Sequence, residues 1–399
     1  MTPLPQSFCS PLVHGRSPAQ LVIASDFPLR YFENPKATLR LQAAIRYVLA
    51  RRGYRAGRYA VGYQACDDSS PQQGSGALAK CAANAKAYAQ DESVVGVIGT
   101  FSSACAAVEL PILDRAPDGP LGLISPGNTN VGLTHAAAGT EPGEPGRYYP
   151  SGIRNFVRIV PADDAQAVAD ALLVKQLGAR RVFSLDDHEG YGLSVAGAFR
   201  RTARRIGLRS VGTGSWLPDQ TRFGAILQRV AKAKPDAVFL GGFACPGCGA
   251  LLVGLRRALG PDGVIVGSDG FSDFASIVKA AGAAADGLYA SIPGLPAERL
   301  PPAGRRIDRL FGPPILGAGG PAYAAQAAAV LLDAIAASDG TRASVNAHLR
   351  AARVRNGFIG SFTFDRNGDS TFNPTMIWRI RAGKARLDRV ITPPARLIP

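Results

Sequence analysis

The segment GLISPGNTNVGLTH, residues 122 to 135, begins as an apolar strand and then turns into a run of Ser, Pro, Gly, Asn and Thr. A strand whose carboxyl end opens into a polar, glycine-bearing turn marks a doubly wound sheet, in which ligands bind beyond the strand ends. The preceding strand candidate does the same: VVGVIG (94 to 99) runs into TFSSACAAVELPIL (100 to 113), where Ser102 or Ser103 is placed to cap the next helix. Two adjacent turns carrying hydroxyls and exposed amides form a pocket for a carboxylate. The competing reading is structural, with Ser103 only an N-cap and Gly127 only a turn residue.

Outward from these turns, short apolar runs alternate with longer amphipathic ones. Strand patterns are LVIAS (21 to 25), YAVGYQ (59 to 64), VVGVIG, LGLIS (121 to 125), FVRIV (156 to 160), RVFSLD (181 to 186), AVFLGG (237 to 242) and VIVGS (264 to 268). Helical patterns fall at 37 to 53, 79 to 90, 163 to 178, 193 to 207 and 223 to 235. The long ones end in Gly or Pro, which are stop signals. This rhythm predicts an α/β chain with a parallel sheet covered on both faces. The pattern occurs twice, separated by the loose stretch AAAGTEPGEPGRYYPSG (136 to 152). A Pro/Gly-rich segment at 293 to 306 follows, then an alanine-rich helix at 321 to 337 and GSFTFDRNGDSTF (360 to 372), whose Asn367-Gly368 suits a type I′ hairpin turn.

At 399 residues the chain is too long for one ordinary core, and 46% hydrophobic against 19% charged residues exclude a disordered chain. The apolar runs are far shorter than the roughly 18 residues of a membrane span. The first twenty residues lack a basic start and an apolar stretch. The expectation is therefore either a cytoplasmic chain or an export or anchoring segment outside this sequence. The net charge of +15 raises nucleic acid as a partner, but the Arg residues are scattered, and the one run, RRTARR (200 to 205), has helical spacing without interleaved aromatics. A solvated helix face is the reading adopted, with no nucleic-acid partner.

Six cysteines, Cys9, Cys66, Cys81, Cys105, Cys245 and Cys248, and four scattered histidines give no zinc-ligand spacing. Disulfides are expected instead, with buried thiols as the alternative, and they point to an oxidising compartment. The segments 64 to 81 and CPGC (245 to 248) look like local staples. DDHEG (186 to 190) reads as a solvated loop and DRNGDS (365 to 370) as a hairpin turn rather than a calcium loop. No G-x-S-x-G elbow occurs, and the first strand runs into DFPLRY rather than G-x-G-x-x-G. No enzyme, cofactor or metal is expected.

In their order and spacing, VVGVIGTFSSACAAVELPIL, LGLISPGNTNVGLTH, NFVRIVPADDAQAVADALL, VFSLDDHEGYGLSVAGAF, KPDAVFLGGF, VIVGSDGF and AADGLYAS resemble the branched-chain amino-acid (Leu/Ile/Val) substrate-binding proteins of ABC transporters. The resemblance runs from about residue 20 to 382. It implies a type I periplasmic-binding fold: two Rossmann-like lobes joined by three crossings, with an amino acid trapped between them by lobe closure. Lobe 1 would hold residues 20–153 and 293–358, lobe 2 residues 154–292 and 359–399, with 1–19 an N-terminal extension.

By the same resemblance, Ser103, with Ser102 beside it, Thr129 and the backbone of Gly127 would hold the α-carboxylate. Asp269 would take the α-ammonium, Tyr191 would close over the ligand, and Phe101 and Asn128 would border the side-chain pocket. A zwitterion needs donors on one side and a carboxylate on the other, so the two readings agree. The implied partners are a small-molecule ligand and an ABC permease outside the cytoplasm; the alternative is a ligand-sensing domain with a signalling partner.

This sequence departs from the family in three places. Phe243 stands after LGG where the family often has a Tyr, which removes one hydrogen bond. The loop at 26 to 37, with Tyr31 and Phe32, does not match the family's glycine-rich loop, so leucine-like specificity is not implied. The stretch at 66 to 81 is longer than usual and invites a Cys66–Cys81 disulfide, worth roughly 3 kcal/mol for a loop of about 15 residues. Cys245–Cys248 reads as a local disulfide in preference to a redox motif, Cys105 as buried, and Cys9 as a lipid-anchor position only if an apolar segment precedes it.

Overall fold

A computed structural model describes residues 4–5, 7–30, 35–71, 77–137, 139–217, 219–260, 262–312 and 320–398. Tyr31 and Phe32 lie outside the described residues. Along the chain come β1 (Leu21–Phe27), α1 (Pro35–Arg51), β2 (Arg55–Ala56), β3 (Tyr59–Asp67), α2 (Leu78–Gln90), β4 (Val94–Gly99), α3 (Ser103–Asp114), β5 (Leu123–Ser125) and β6 (Phe156–Arg158). Next are α4 (Asp163–Gln176), β7 (Arg181–Asp186), α5 (Gly190–Arg205), β8 (Arg209–Ser215), α6 (Gly224–Ala233), β9 (Ala237–Gly241), α7 (Cys248–Leu259), β10 (Val264–Gly267), α8 (Phe274–Ala281) and β11 (Leu288–Pro293). Last are α9 (Pro302–Phe311), α10 (Pro321–Ala337), α11 (Arg342–Arg350), β12 (Arg353–Val354), β13 (Phe362–Thr363), β14 (Thr375–Arg381) and β15 (Lys384–Ile391).

The chain forms two compact units. Unit 1 comprises Met1–His135, Pro142–Val160 and Pro296–Phe372, and unit 2 comprises Ala136–Glu141, Pro161–Leu295 and Asn373–Pro399. The main crossings thus follow Val160, Leu295 and Phe372. Unit 1 is built on a sheet of order β2-β3-β1-β4-β5-β6, parallel except for β2. Its chain winds from β1 to β3 on one side and then to β4 on the other, so the switch point lies between β1 and β4. Unit 2 has the order β15-β14-β11-β10-β9-β7-β8, with its switch between β7 and β9 and an antiparallel edge of β14 and β15.

The central strands are buried along their whole length, β4 and β9 at every position, as sheets covered by helices on both faces require. In unit 2 the rings of Phe199 on α5 and Phe239 on β9 stack with centroids 4.1 Å apart. β8, RSVGTGS, carries no apolar run because it is an edge strand with mostly exposed or half-exposed residues, and the sequence pattern does not show it.

The expected hairpin forms, with Phe364 bridged to Ser370 and the Thr371 N–H donating to the Thr363 carbonyl, but its turn type is corrected. At 365 to 369 only Gly368 has positive φ, and the Asp365 carboxylate accepts the backbone N–H of Asn367 and of Asp369, a side-chain-closed loop rather than a type I′ turn. The two successive positive φ values that type I′ demands occur at Ala382 and Gly383, between β14 and β15.

The disulfide expectation changes too. Cys66 pairs with Cys9, and Cys81 with Cys105, so the expected Cys66–Cys81 staple does not form. The N-terminal segment runs antiparallel to β3, with bridges at Val13–Tyr63 and Cys9–Cys66, which sets the Cys9 sulfur against Cys66 instead of leaving it to an anchor. α2 and α3 pack together and bring Cys81 onto the buried Cys105. Cys245 and Cys248 form the expected local bond.

Candidate functional site: polar turns at the strand ends of each unit

In unit 1 the predicted residues gather at the carboxyl ends of β4 and β5. Ser102 is the N-cap of α3 but makes no capping bond with its side chain, so the helix start is not satisfied as the sequence suggests. Ser103 Oγ accepts the Asn130 N–H at 3.4 Å. Phe101, Ser102, Ser103, Gly127 and Thr129 are half-buried, the exposure a ligand contact requires.

Asn128 differs from these. It is fully buried, and its amide donates to Thr100 Oγ1 (3.3 Å) and to the Phe101 carbonyl (3.2 Å), tying the β4 turn to the β5 turn. Ser125 Oγ accepts the N–H groups of Gly127 (3.1 Å) and Asn128 (2.8 Å). Two amides of the second turn are therefore spent inside it, and Asn128 holds the turns in place.

The residue that fixes this turn from behind was not picked out from the sequence. Arg158, at the end of β6, is fully buried. Its Nε lies 2.5 Å from Asp369 Oδ1, its Nη1 reaches the carbonyls of Asn128 (3.3 Å) and Asn130 (2.7 Å), and its Nη2 donates to Thr134 Oγ1. Asp369 also accepts from Thr134 Oγ1 at 2.9 Å and meets His135 Nδ1 at 3.2 Å. Although burial opposes ionisation, the Arg158 guanidinium and His135 hold the Asp369 carboxyl far below the usual carboxylate range. The available signal was a lone Arg inside the apolar strand FVRIV.

Beside these turns, Asp26, Asp68 and Glu109 are buried, and among the described residues no cation is bonded to them. Asp26 accepts from Asn84 Nδ2 at 3.0 Å, and Glu109, whose carboxyl oxygens have no hydrogen-bond partner among the described residues, feels the Asp26 charge. Burial pushes Asp26 up to about 6 and raises Glu109 and Asp68 well above the usual range.

In unit 2 the corresponding ends belong to β7, β9 and β10. Asp269 stands just past β10, half-buried, with Oδ1 accepting from the Tyr191 hydroxyl and from Gln166 Nε2 (3.1 Å). Burial raises its pKa, and burial together with the Asp269 charge raises that of Tyr191, which keeps the phenol a donor. Gln166, fully buried on α4 and also bonded to Ser291 Oγ at 2.8 Å, is a site residue that the pattern reading passed over. Phe243 is 62% exposed, and its ring centroid lies 5.0 Å from that of Tyr191.

The DDHEG segment is not the solvated loop expected. His188 and Glu189 are exposed, but Asp186 and Asp187 are 4% and 2% exposed. Asp187 accepts the N–H groups of Phe243 (2.8 Å) and Glu189 (3.1 Å), and a Cβ at Gly192 or Gly242 would collide with its carboxylate. Gly192 of EGYG and Gly242 of LGGF thus make room for the carboxylate that positions Phe243. A concavity of about 610 Å³ elsewhere in unit 1, lined by Arg52, Gln326, Asp333 and His348 among others, includes none of these residues.

Two doubly wound units, each presenting polar turns at the carboxyl ends of its strands, define the type I periplasmic-binding architecture. Residues 40–385 match the sequence profile of the periplasmic binding protein family, and the chain belongs to that family. It is a substrate-binding protein and not an enzyme. It is 25% identical over 301 residues to the Leu/Ile/Val-binding protein BraC3 of Rhizobium johnstonii, covering 72% of this chain and 73% of the relative. The leucine-binding protein LivK from Thermotoga maritima superposes with a TM-score of 0.71 at 22% identity, over 94% of this chain and 99% of that one. A solute-binding protein from R. palustris in complex with 4-hydroxybenzoate gives 0.69 at 17% identity, over 94% and 98%.

Proposed function

We propose that the chain captures an amino acid for an ABC importer outside the cytoplasm. The observation that carries the ligand class is Asp269: a half-buried carboxylate at a strand end whose hydrogen-bond partners, Tyr191 and Gln166, are both neutral. A carboxylate so placed supplies the charge an ammonium group needs and repels the carboxylate of an aromatic acid. The turns of unit 1 offer donors for the other end of a zwitterion in Ser102, Ser103 and Thr129, while the Gly127 backbone, its N–H spent on Ser125, shapes the turn. Phe101 borders the ligand's side chain, Asn128 holds the turns, and Tyr191 and Phe243 form an aromatic wall beside the ammonium. The family resemblance implies that both sets meet on one ligand as the lobes close, and an ABC permease is the partner that reads the closed state.

The test is a thermal-shift and calorimetric screen with leucine, isoleucine, valine, the remaining amino acids and 4-hydroxybenzoate. Saturation at a hundred times Kd stabilises the folded state by about 2.7 kcal/mol. A zwitterion is expected to bind the native chain and to lose binding in Asp269→Asn. Binding of 4-hydroxybenzoate alone, undiminished by that substitution, would assign the chain to aromatic acids instead.

A further inference from the structure

The Cys-Pro-Gly-Cys segment at 245 to 248 has no part in the ligand contacts above. Its disulfide differs in access from the other two: Cys9, Cys66, Cys81 and Cys105 are all 3% exposed or less, whereas Cys245 is half-buried, with Cys248 at 3%. A thiolate opens a disulfide by attacking one sulfur in line with the bond, so access selects both the bond and the sulfur. Here only Cys245 is within reach.

The geometry also favours departure of the other sulfur. Cys248 is the first residue of the twelve-residue helix α7, preceded by Gly247, where the positive end of the helix dipole stabilises a thiolate. The backbone N–H of Cys245 donates to Cys248 Sγ at 2.9 Å. The loop around the pair is held at its neighbours: Ala244 N–H donates to the Gly270 carbonyl at 3.1 Å, and a Cβ at Gly247 would collide with the Gln220 carbonyl. Opening the bond therefore leaves both thiols in a braced four-residue turn, close enough to reclose.

We infer that Cys245–Cys248 is a redox-active disulfide that exchanges with external dithiols while the rest of the chain stays folded. A thiolate of the dithiol attacks Cys245 Sγ, forming a mixed disulfide and expelling the Cys248 thiolate. The second thiol of the dithiol, deprotonated, then attacks its own sulfur in the mixed disulfide and releases Cys245. The dithiol is oxidised to a disulfide by two electrons, and its two protons pass to Cys245 and Cys248.

The native chain, equilibrated across a series of reduced to oxidised dithiothreitol ratios, acid-quenched, alkylated and mapped by mass spectrometry, tests this without a variant. The Cys245–Cys248 pair is expected to open at ratios where Cys9–Cys66 and Cys81–Cys105 remain closed. A pair that opens only together with the other two, as the chain unfolds, overturns the inference. Direction of attack is read with Ellman's reagent: Cys245 in Cys248→Ser is expected to react at least about tenfold faster than Cys248 in Cys245→Ser, following access. Equal or reversed rates in folded variants would contradict Cys245 as the attacked sulfur.

Discussion

The polar turns of unit 1 and unit 2 are built in opposite ways. In unit 1 the charge is kept behind the turn: the fully buried Arg158 pairs with the partly exposed Asp369, and the exposed part of the turn is hydroxyls and backbone. In unit 2 the charge is at the front: Asp269 is half-buried, and neutral Tyr191 and Gln166 hold it. An interior ion pair shapes a turn at a cost that only good geometry offsets, while a forward carboxylate contributes to affinity and little to stability. Substitutions should therefore separate the two, with stability lost in unit 1 and binding lost in unit 2.

The largest effect is expected at Arg158. Arg158→Met leaves Asp369 with only His135 and Thr134 as side-chain partners and two turn carbonyls without their donor, so unfolding in urea should show a loss of about 3 to 5 kcal/mol. An unchanged midpoint would mean that Ser125 and Asn128 hold the turn unaided, and that the contrast with unit 2 is superficial.

Asp269→Asn is the converse. With leucine as the probe, calorimetry should show affinity down by at least about a hundredfold, equivalent to about 2.7 kcal/mol, while the melting temperature without ligand holds or rises. It should hold because burial has raised the carboxyl's pKa, so that the folded state gains nothing from its charge at neutral pH. The same shift sets a pH dependence in the native chain: an ammonium needs the ionised carboxylate, so affinity should fall as pH drops toward the raised Asp269 value. Full leucine affinity in Asp269→Asn would place the ammonium elsewhere.

How much of this was legible in the sequence follows from what each residue does. Strand ends with polar turns are visible because the apolar run stops abruptly, as at IS-PGNT and VG-SDG, and those runs located β1, β3 to β7, β9 and β10. β8 was not visible because an edge strand needs no apolar face, nor was the pairing of β14 with β15, which long-range contacts decide. Asp269 and Tyr191 are candidates through family resemblance, and the structure joins them by a hydrogen bond. Arg158, Asp369 and Gln166 were not legible, since they act by meeting residues 211 and 103 positions away, and nothing local marks such a partner. Cys66 and Cys81 illustrate the same limit: proximity in sequence suggested one bond, and an added N-terminal strand segment and a helix pair made two others.

Unit 1 carries a second charge pattern that pH can probe. Asp26, Asp68 and Glu109 are protonated in the folded state over a range where the unfolded chain has ionised them, Asp26 up to about 6. Their contribution is complete below about pH 4 and is lost as pH rises through the folded values, so stability should decline from pH 4 toward 8, by about 1 to 3 kcal/mol. The Asp369 pair does not confuse this window, because its lowered value places its loss at more acidic pH. Asp308, also raised to about 6 by burial, adds a decline of the same sign. Glu109→Gln keeps the side chain's shape and removes one titrating group beside Asp26, so denaturation curves at pH 4 and 8 should lie closer together than in the native chain. An unaltered gap would show that the Asp26–Glu109 pair is not its source.

The smallest effect is expected at Phe243, where unit 2 lacks the hydroxyl often found in the family. The ring is 62% exposed, tilts against Tyr191, and is anchored by its backbone N–H to Asp187 rather than by its side chain. A hydroxyl added to so exposed a ring competes with water for any partner, and the net value of such a bond is about 0.5 to 1.5 kcal/mol. Phe243→Tyr should therefore raise leucine affinity by no more than about tenfold, with no change in melting temperature in the absence of ligand. Removing the ring tests the other half of the argument: Phe243→Ala takes away the aromatic face beside Tyr191 and should weaken binding while the Asp187 anchor keeps the loop in place. If Tyr matches Phe and only Ala loses affinity, the position contributes a surface and not a hydrogen bond. The polar specificity of unit 2 would then rest on Asp269, Tyr191 and Gln166.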